Sequence, residues 1–160
     1  MLRGFLARLR QIMSGTTSTP ADPFHLERFV AAQEGLYEQA LAELRKGKKR
    51  SHWMWFIFPQ IAGLGSSSTA RFYAISGAEE ARAYRAHPVL GPRLLACAAA
   101  LLSHGGRSAS EIFGSPDDLK LRSSLTLFAA VNDEQAVFKQ LLEQFYAGQP
   151  DPATLERLSS

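Results

Sequence analysis

The chain carries a single cysteine, Cys97, among 160 residues, which excludes an intramolecular disulfide framework and a cysteine-built zinc site. A reducing, cytoplasmic setting fits that composition. No apolar run approaches the ~18–20 residues that would span a bilayer, so no transmembrane segment is expected. The bulk of the chain also lacks an excess of either charge. The net +3 is carried by Arg3, Arg8 and Arg10, since residues 1–21 hold no acid and residues 22–160 hold 15 residues of each sign. A nucleic-acid binder normally needs a large basic field, and none is expected here. The four histidines, at 25, 52, 87 and 104, show no H-E-x-x-H spacing, so neither a metal site nor any other cofactor is implied. The P-loop pattern and the G-x-S-x-G nucleophile elbow are missing as well. No run alternates with a period of two between hairpin signals, and no internal repeat is visible.

What is present is apolar periodicity of helical type. A chain that is 46% hydrophobic and 21% charged has the composition and length of one self-sufficient domain, assigned to residues 22–160. Residues 1–21 read as a basic extension outside it, either disordered or loosely docked: Leu2, Phe5, Leu6 and Leu9 share a helical face, but the polar G-T-T-S-T-P stretch follows. Asp22-Pro23 is a helix start, and from Leu26 to Leu44 apolar residues recur at spacings of three and four. The pattern predicts an amphipathic helix of about 24 residues, roughly 35 Å long, with Gly35 as the place for a bend and Gly47 as its end. Further starts stand at Ser76 with Glu79, at Ser108 with Glu111, at Ser115-Pro116-Asp117-Asp118, at Asn132 with Gln135 and at Asp151-Pro152. The expected fold is all-α, an irregular, partly orthogonal bundle of six to eight helices.

The stretch from Arg50 to Tyr73 holds both tryptophans and the densest Gly/Ser cluster. Trp53 to Phe58 is continuously apolar and is expected to be buried, with Ser51 as a cap for a short helix. Trp53 and Trp55 are the two rings that could stack on a nucleobase or sugar; core packing is the alternative for each. His52 reads either as a hydrogen-bonding structural residue or as a general acid or base. Beyond Gln60, the turn through Gly65, Ser66, Ser67 and Ser68 offers backbone N–H groups and hydroxyls at a helix start, either as an anion cradle or as a self-capped connector, with Arg71 close by. A second feature is the stripe of Asp117, Lys120 and Ser124 on a helix that is apolar on most sides. A buried lysine needs a counter-charge, so Lys120 should find Asp117, another acid or a ligand anion. If the stripe faces the Gly/Ser turn, Lys120 and Arg122 become binders of an anionic substrate and Asp117 a base. The basic run Arg45 to Arg50 suits a helix C-terminus.

The segments D-P-F-H-L-E-R-F-V-A-A-Q, S-H-W-M-W-F-I-F-P-Q, G-L-G-S-S, A-H-P-V-L-G-P-R-L and I-F-G-S-P-D-D-L-K-L-R-S-S-L-T-L-F resemble a bacterial and fungal family catalogued as domain of unknown function 1810. Some of its members carry the label calpastatin-like. The resemblance covers about residues 22–158 and implies a small cytosolic helical protein without an established activity, with residues 1–21 outside the family domain. It supplies no catalytic residues. The calpastatin label does not transfer as a function, because calpastatins resemble long disordered inhibitors and this chain has a packed core.

Two functional expectations follow. The first is a site for a phosphate-bearing, nucleotide-like metabolite, with His52 or Asp117 available to hydrolyse a glycosidic bond. The second is a non-enzymatic interaction module that binds a partner protein or another copy of itself.

Overall fold

The computed structural model describes residues 21–131 and 136–160. The extension assigned to residues 1–21, apart from Ala21, and the start assigned to Asn132 with Gln135 lie outside the described residues. Among the described residues the fold is all-α, with ten α-helices: α1 (Glu27–Gln33), α2 (Tyr37–Lys46), α3 (Met54–Ile57), α4 (Ser68–Phe72), α5 (Ala78–Ala86), α6 (Leu90–Leu101), α7 (Ala109–Phe113), α8 (Asp117–Val131), α9 (Val137–Tyr146) and α10 (Pro152–Leu158). One isolated parallel bridge, Ile61 with Ile75, is the β contact among them.

The helix count exceeds the expected six to eight for two physical reasons. The expected 24-residue helix is divided into α1 and α2, because Gly35 takes φ +74° and turns the chain. Three further helices, α3, α4 and α7, are only four or five residues long. The end signal at Gly47 works as expected, with the residue in the left-handed conformation that caps α2. Ser108 and Glu111 form the reciprocal capping box at α7. Asp151 accepts from the Thr154 N–H to open α10. Two caps differ. Ser76 and Glu79 do not form a box, because the Ser76 N–H donates to Glu80 Oε1 (2.9 Å). Ser51 does not cap α3; its hydroxyl donates to Glu43 (2.7 Å).

The core is continuous and is organised on α8, which packs against α5, α7, α9 and α10, while α6 packs against α2, α5 and α9. Trp53, Tyr84, Phe29, Phe58 and Phe128 are its largest fully buried side chains. A buried ion pair, Arg28 with Glu80 at 2.8 Å, ties α1 to α5. The same guanidinium donates to the carbonyls of Phe72 and Ala74 (2.8 and 2.9 Å), so α1 also holds the segment that follows α4. Among the described residues no single helix is long and apolar enough to cross a membrane. The one adjoining helical pair that passes by length and composition, Ala78–Ala86 with Leu90–His104, is bent by 89°.

Candidate ligand-binding cleft

A cleft opens where the Gly-rich turn returns to the body of the protein. It is lined by Trp55, Gln60, Ile61, Gly63, Gly65, Ala70, Tyr73 and Ala74, and its walls are close-set: the cavity between them measures about 20 Å³, room for little more than a water molecule. The turn is shaped by two hydrogen bonds, Ile75 N–H to the Gln60 carbonyl (2.8 Å) and Ala62 N–H to the Ile75 carbonyl (2.7 Å). Small residues are required here: a Cβ on Gly65 would stand 2.6 Å from the Ala70 methyl. Three polar groups on the lining make no hydrogen bond among the described residues: the Trp55 indole N–H, the Gln60 side-chain amide and the Tyr73 hydroxyl.

The stripe on α8 faces this region. Lys49 is the hinge of the arrangement: its ammonium meets Asp117 at 2.9 Å, donates to the Ser51 carbonyl at 2.6 Å and lies 5.0 Å from the Trp53 ring centroid. It thereby fastens the first turn of α8 to the segment leading into α3. One turn further on, Lys120 pairs with Asp117 at 3.6 Å and sits over the Trp55 ring, 5.0 Å from its centroid. The Lys120 side chain is 26% exposed, and a cation over an indole face at such a partly exposed site is worth ~0.5–2 kcal/mol.

The other named residues divide into those beside the cleft and those elsewhere. Trp53 is fully buried and its N–H donates to Glu43, so of the two tryptophans Trp55 alone lines the opening. Ser66, Ser67, Ser68 and Arg71 are exposed. The Ser67 oxygen accepts from the Ala70 N–H (3.1 Å) and caps α4. At five residues, α4 is too short to contribute a helix dipole of any size. Ser67 thus caps the helix that follows the turn, while Gly63 and Gly65 line the cleft. His52 is exposed and has no hydrogen bond among the described residues. Arg122 is turned to the opposite task, donating to the carbonyls of Gln149 and Pro150 (both 2.9 Å). Ser124 is buried with its Oγ unpartnered.

Four residues that the sequence did not single out build or border the site. Tyr73 lines it, Lys49 connects the two halves, and Glu43 fixes the strand of chain between them. Glu43 Oε1 accepts from the Arg50 N–H (2.7 Å), the Ser51 N–H (3.0 Å) and the Trp53 indole (2.9 Å). Burial alone would push this carboxyl up, but these bonds together with the Ser51 hydroxyl hold it at about 2. The fourth is Arg157, whose guanidinium lies against Gly63 (φ +96°), so close that a Cβ there would be 2.2 Å from its Nη1. A glycine at positive φ with a cation packed on it was the available signal, but it joins residues 94 positions apart, which no local pattern can show. A second, open bowl is lined by Gln39, Ala42, Glu43, Lys46, Lys48, Arg50 and Arg107. Its cations gather at the C-terminal end of α2, where they offset the helix dipole. Among the described residues no group of three or more His, Cys, Asp or Glu side chains could hold a metal.

Comparison with known proteins agrees with the sequence motifs. Among solved structures, the crystal structure of the conserved hypothetical protein Rv1873 from Mycobacterium tuberculosis is similar, with a TM-score of 0.85 and 52% identity over 87% of this chain and 99% of that one. No curated protein matches the chain. A family model described as "Protein of unknown function (DUF1810)" matches residues 23–158, and the chain belongs to that family.

Proposed function

We propose that the protein binds a small anionic, nucleotide-like metabolite at the cleft, with its planar part against Trp55 and its anionic group on Lys120. The observation that carries this reading is the position of the Lys120 ammonium over the ring of Trp55, beside an indole N–H, an amide and a hydroxyl that all await partners. Pockets that fix ligand orientation combine an apolar wall with a few polar groups of this kind. The cleft is narrow, so binding includes a rotation of Lys120 off the ring onto the ligand anion. Asp117 acts here as the counter-ion of Lys49 and Lys120. The hydrolytic version assigns cleavage of a glycosidic bond to His52, which is exposed and outside the lining of the cleft, so the reading put forward is one of binding.

The competing reading, a protein-interaction module or self-association surface, calls for a contiguous exposed apolar patch. The large apolar side chains left exposed among the described residues are Leu36, Phe72, Leu119 and Leu155, whereas the cleft combines an aromatic wall with several polar groups.

A thermal-shift series with nucleotides, ADP-ribose and sugar phosphates tests the proposal. The expected result is a ligand-dependent rise in Tm at millimolar concentration that Trp55→Ala and Lys120→Met each abolish while the circular dichroism spectrum is kept. Absence of any rise, or a rise that survives both substitutions, overturns it. Chromatography of the same mixtures reports whether the ligand is cleaved.

A further inference from the structure

Arg157 is an exposed cation whose guanidinium lies against the Gly-rich turn. Its guanidinium presses on the backbone of Gly63, yet it makes no hydrogen bond or ion pair among the described residues. Gly63 and Trp55 line the same cleft, and Lys120 sits on Trp55. Each cation thus lies against a residue of the lining, Lys120 on Trp55 from α8 and Arg157 on Gly63 from α10.

The helices that deliver them are fastened to each other. Ser123 Oγ, on α8, donates to Asp151 Oδ2 at 3.2 Å, and the Asp151 N–H donates to Thr126 Oγ1 at 2.8 Å. Asp151 also caps α10 through the Thr154 N–H (3.1 Å). Thr154 is fully buried. The two helices that carry Lys120 and Arg157 are thus fastened to each other by side-chain hydrogen bonds. An arginine fork without a partner matches the oxygens of a phosphate.

We infer that Arg157 is a second anion-binding group of this site and that the ligand class is a planar ring carrying a diphosphate, one phosphate held by Lys120 and the next by Arg157. This inference rests on the proposed binding at Trp55 and Lys120. Gly63 has its role in the same device: with any side chain there, the guanidinium could not lie on the turn.

Isothermal titration of the full chain with adenosine, adenosine monophosphate and adenosine diphosphate, at fixed ionic strength, tests it. The diphosphate should bind about tenfold more tightly than the monophosphate, the gain expected for one charge-assisted hydrogen-bonded pair. Arg157→Gln should erase that ratio and leave monophosphate affinity unchanged, while Arg157→Lys should keep part of it. Equal affinities for the two nucleotides in the parent protein overturn the inference and leave the Trp55 and Lys120 reading standing. So does an Arg157→Gln variant that weakens both nucleotides alike, since a diffuse field effect would do that. No binding of either nucleotide removes both readings together.

Discussion

The indole N–H of Trp53 donates to Glu43 Oε1 at 2.9 Å, and this bond joins the amphipathic face of α2 to the apolar run that the sequence presents as a candidate stacking platform. The ring is thereby turned inward, packed edge-on against Phe113. The orientation leaves Trp55 for the surface.

A pH dependence follows from Glu43. Its folded-state pKa of about 2 lies below the ordinary 4.5. A depressed carboxyl contributes stability that is complete above its unfolded value and is lost as pH falls towards the folded one. A shift of this size corresponds to roughly 3 kcal/mol at neutral pH, with more than half gone by pH 3. Urea unfolding of the parent and Glu43→Gln proteins at pH 7, 5 and 3 should show a difference in stability that is constant between pH 7 and 5 and shrinks by pH 3. A difference that is the same at all three values would mean that the carboxylate charge is not what the Arg50–Trp53 segment relies on.

The Arg28–Glu80 pair gives a prediction about the cleft's support. Its side chains are 8% and 4% exposed, so removing one partner leaves a charge stranded. Glu80→Ala should cost ~3–5 kcal/mol, whereas replacing the pair together by Arg28→Met and Glu80→Leu should recover most of it. Because the Arg28 guanidinium also carries the Phe72 and Ala74 carbonyls, amide exchange at Ala62, Ile75 and Ser76 should speed up in the single variant more than in helices α8 and α9. Uniform acceleration throughout the chain would argue that the pair is a global staple without local effect on the turn.

Much of the fold was legible because its signals are local. The caps at Ser108, Asp151 and Gly47 work through residues two to four positions away, and sequence spacing reports such contacts directly. The break between α1 and α2 was readable as a glycine but not as a full interruption, since the hydrophobic period runs on across it. The site was less legible. Trp53 and Trp55 are indistinguishable as residue types; what separates them is Glu43, ten positions before Trp53, on a face that reads as helix surface. The Lys120 stripe was visible as a charge in search of a partner, and Asp117, one of the partners the spacing offers, stands 3.6 Å from it. Lys49, in contrast, is hidden inside a basic run that reads as suited to a helix C-terminus, and Arg157 meets Gly63 only after the chain has closed.

Cys97 offers a readout of global opening. It is fully buried within α6, and burial pushes its thiol up to about 12, with Arg45 and Arg93 acting weakly against that. The thiolate is the reactive form, so the native protein should resist a disulfide reagent such as dithionitrobenzoate at pH 8 for hours and react fully in ~6 M guanidinium. Since only one thiol is present, the rate in low denaturant reports a single opening reaction. Rapid, complete labelling without denaturant would show that α6 opens locally and is not the rigid spine between α2 and α9.

Gly91 is the place where one methyl group should matter most. A Cβ there would lie 2.1 Å from the Arg85 carbonyl oxygen, a backbone atom that cannot move unless α5 and α6 part at the bend between them. The Arg85 guanidinium closes the same corner by donating to the Gly91 carbonyl at 3.1 Å. Gly91→Ala should therefore cost ~2–3 kcal/mol through overpacking, a fall in Tm of roughly 4–10 °C for a chain of this size. Gly77 supplies the control. It has extended backbone and no heavy atom within 4 Å of an added Cβ, so Gly77→Ala should change stability by less than ~1 kcal/mol. Calorimetry of the two variants beside the parent decides the point: equal melting temperatures for all three would mean that the α5–α6 corner yields to a methyl group, and that the close approach of the two backbones is not a fixed feature of the fold.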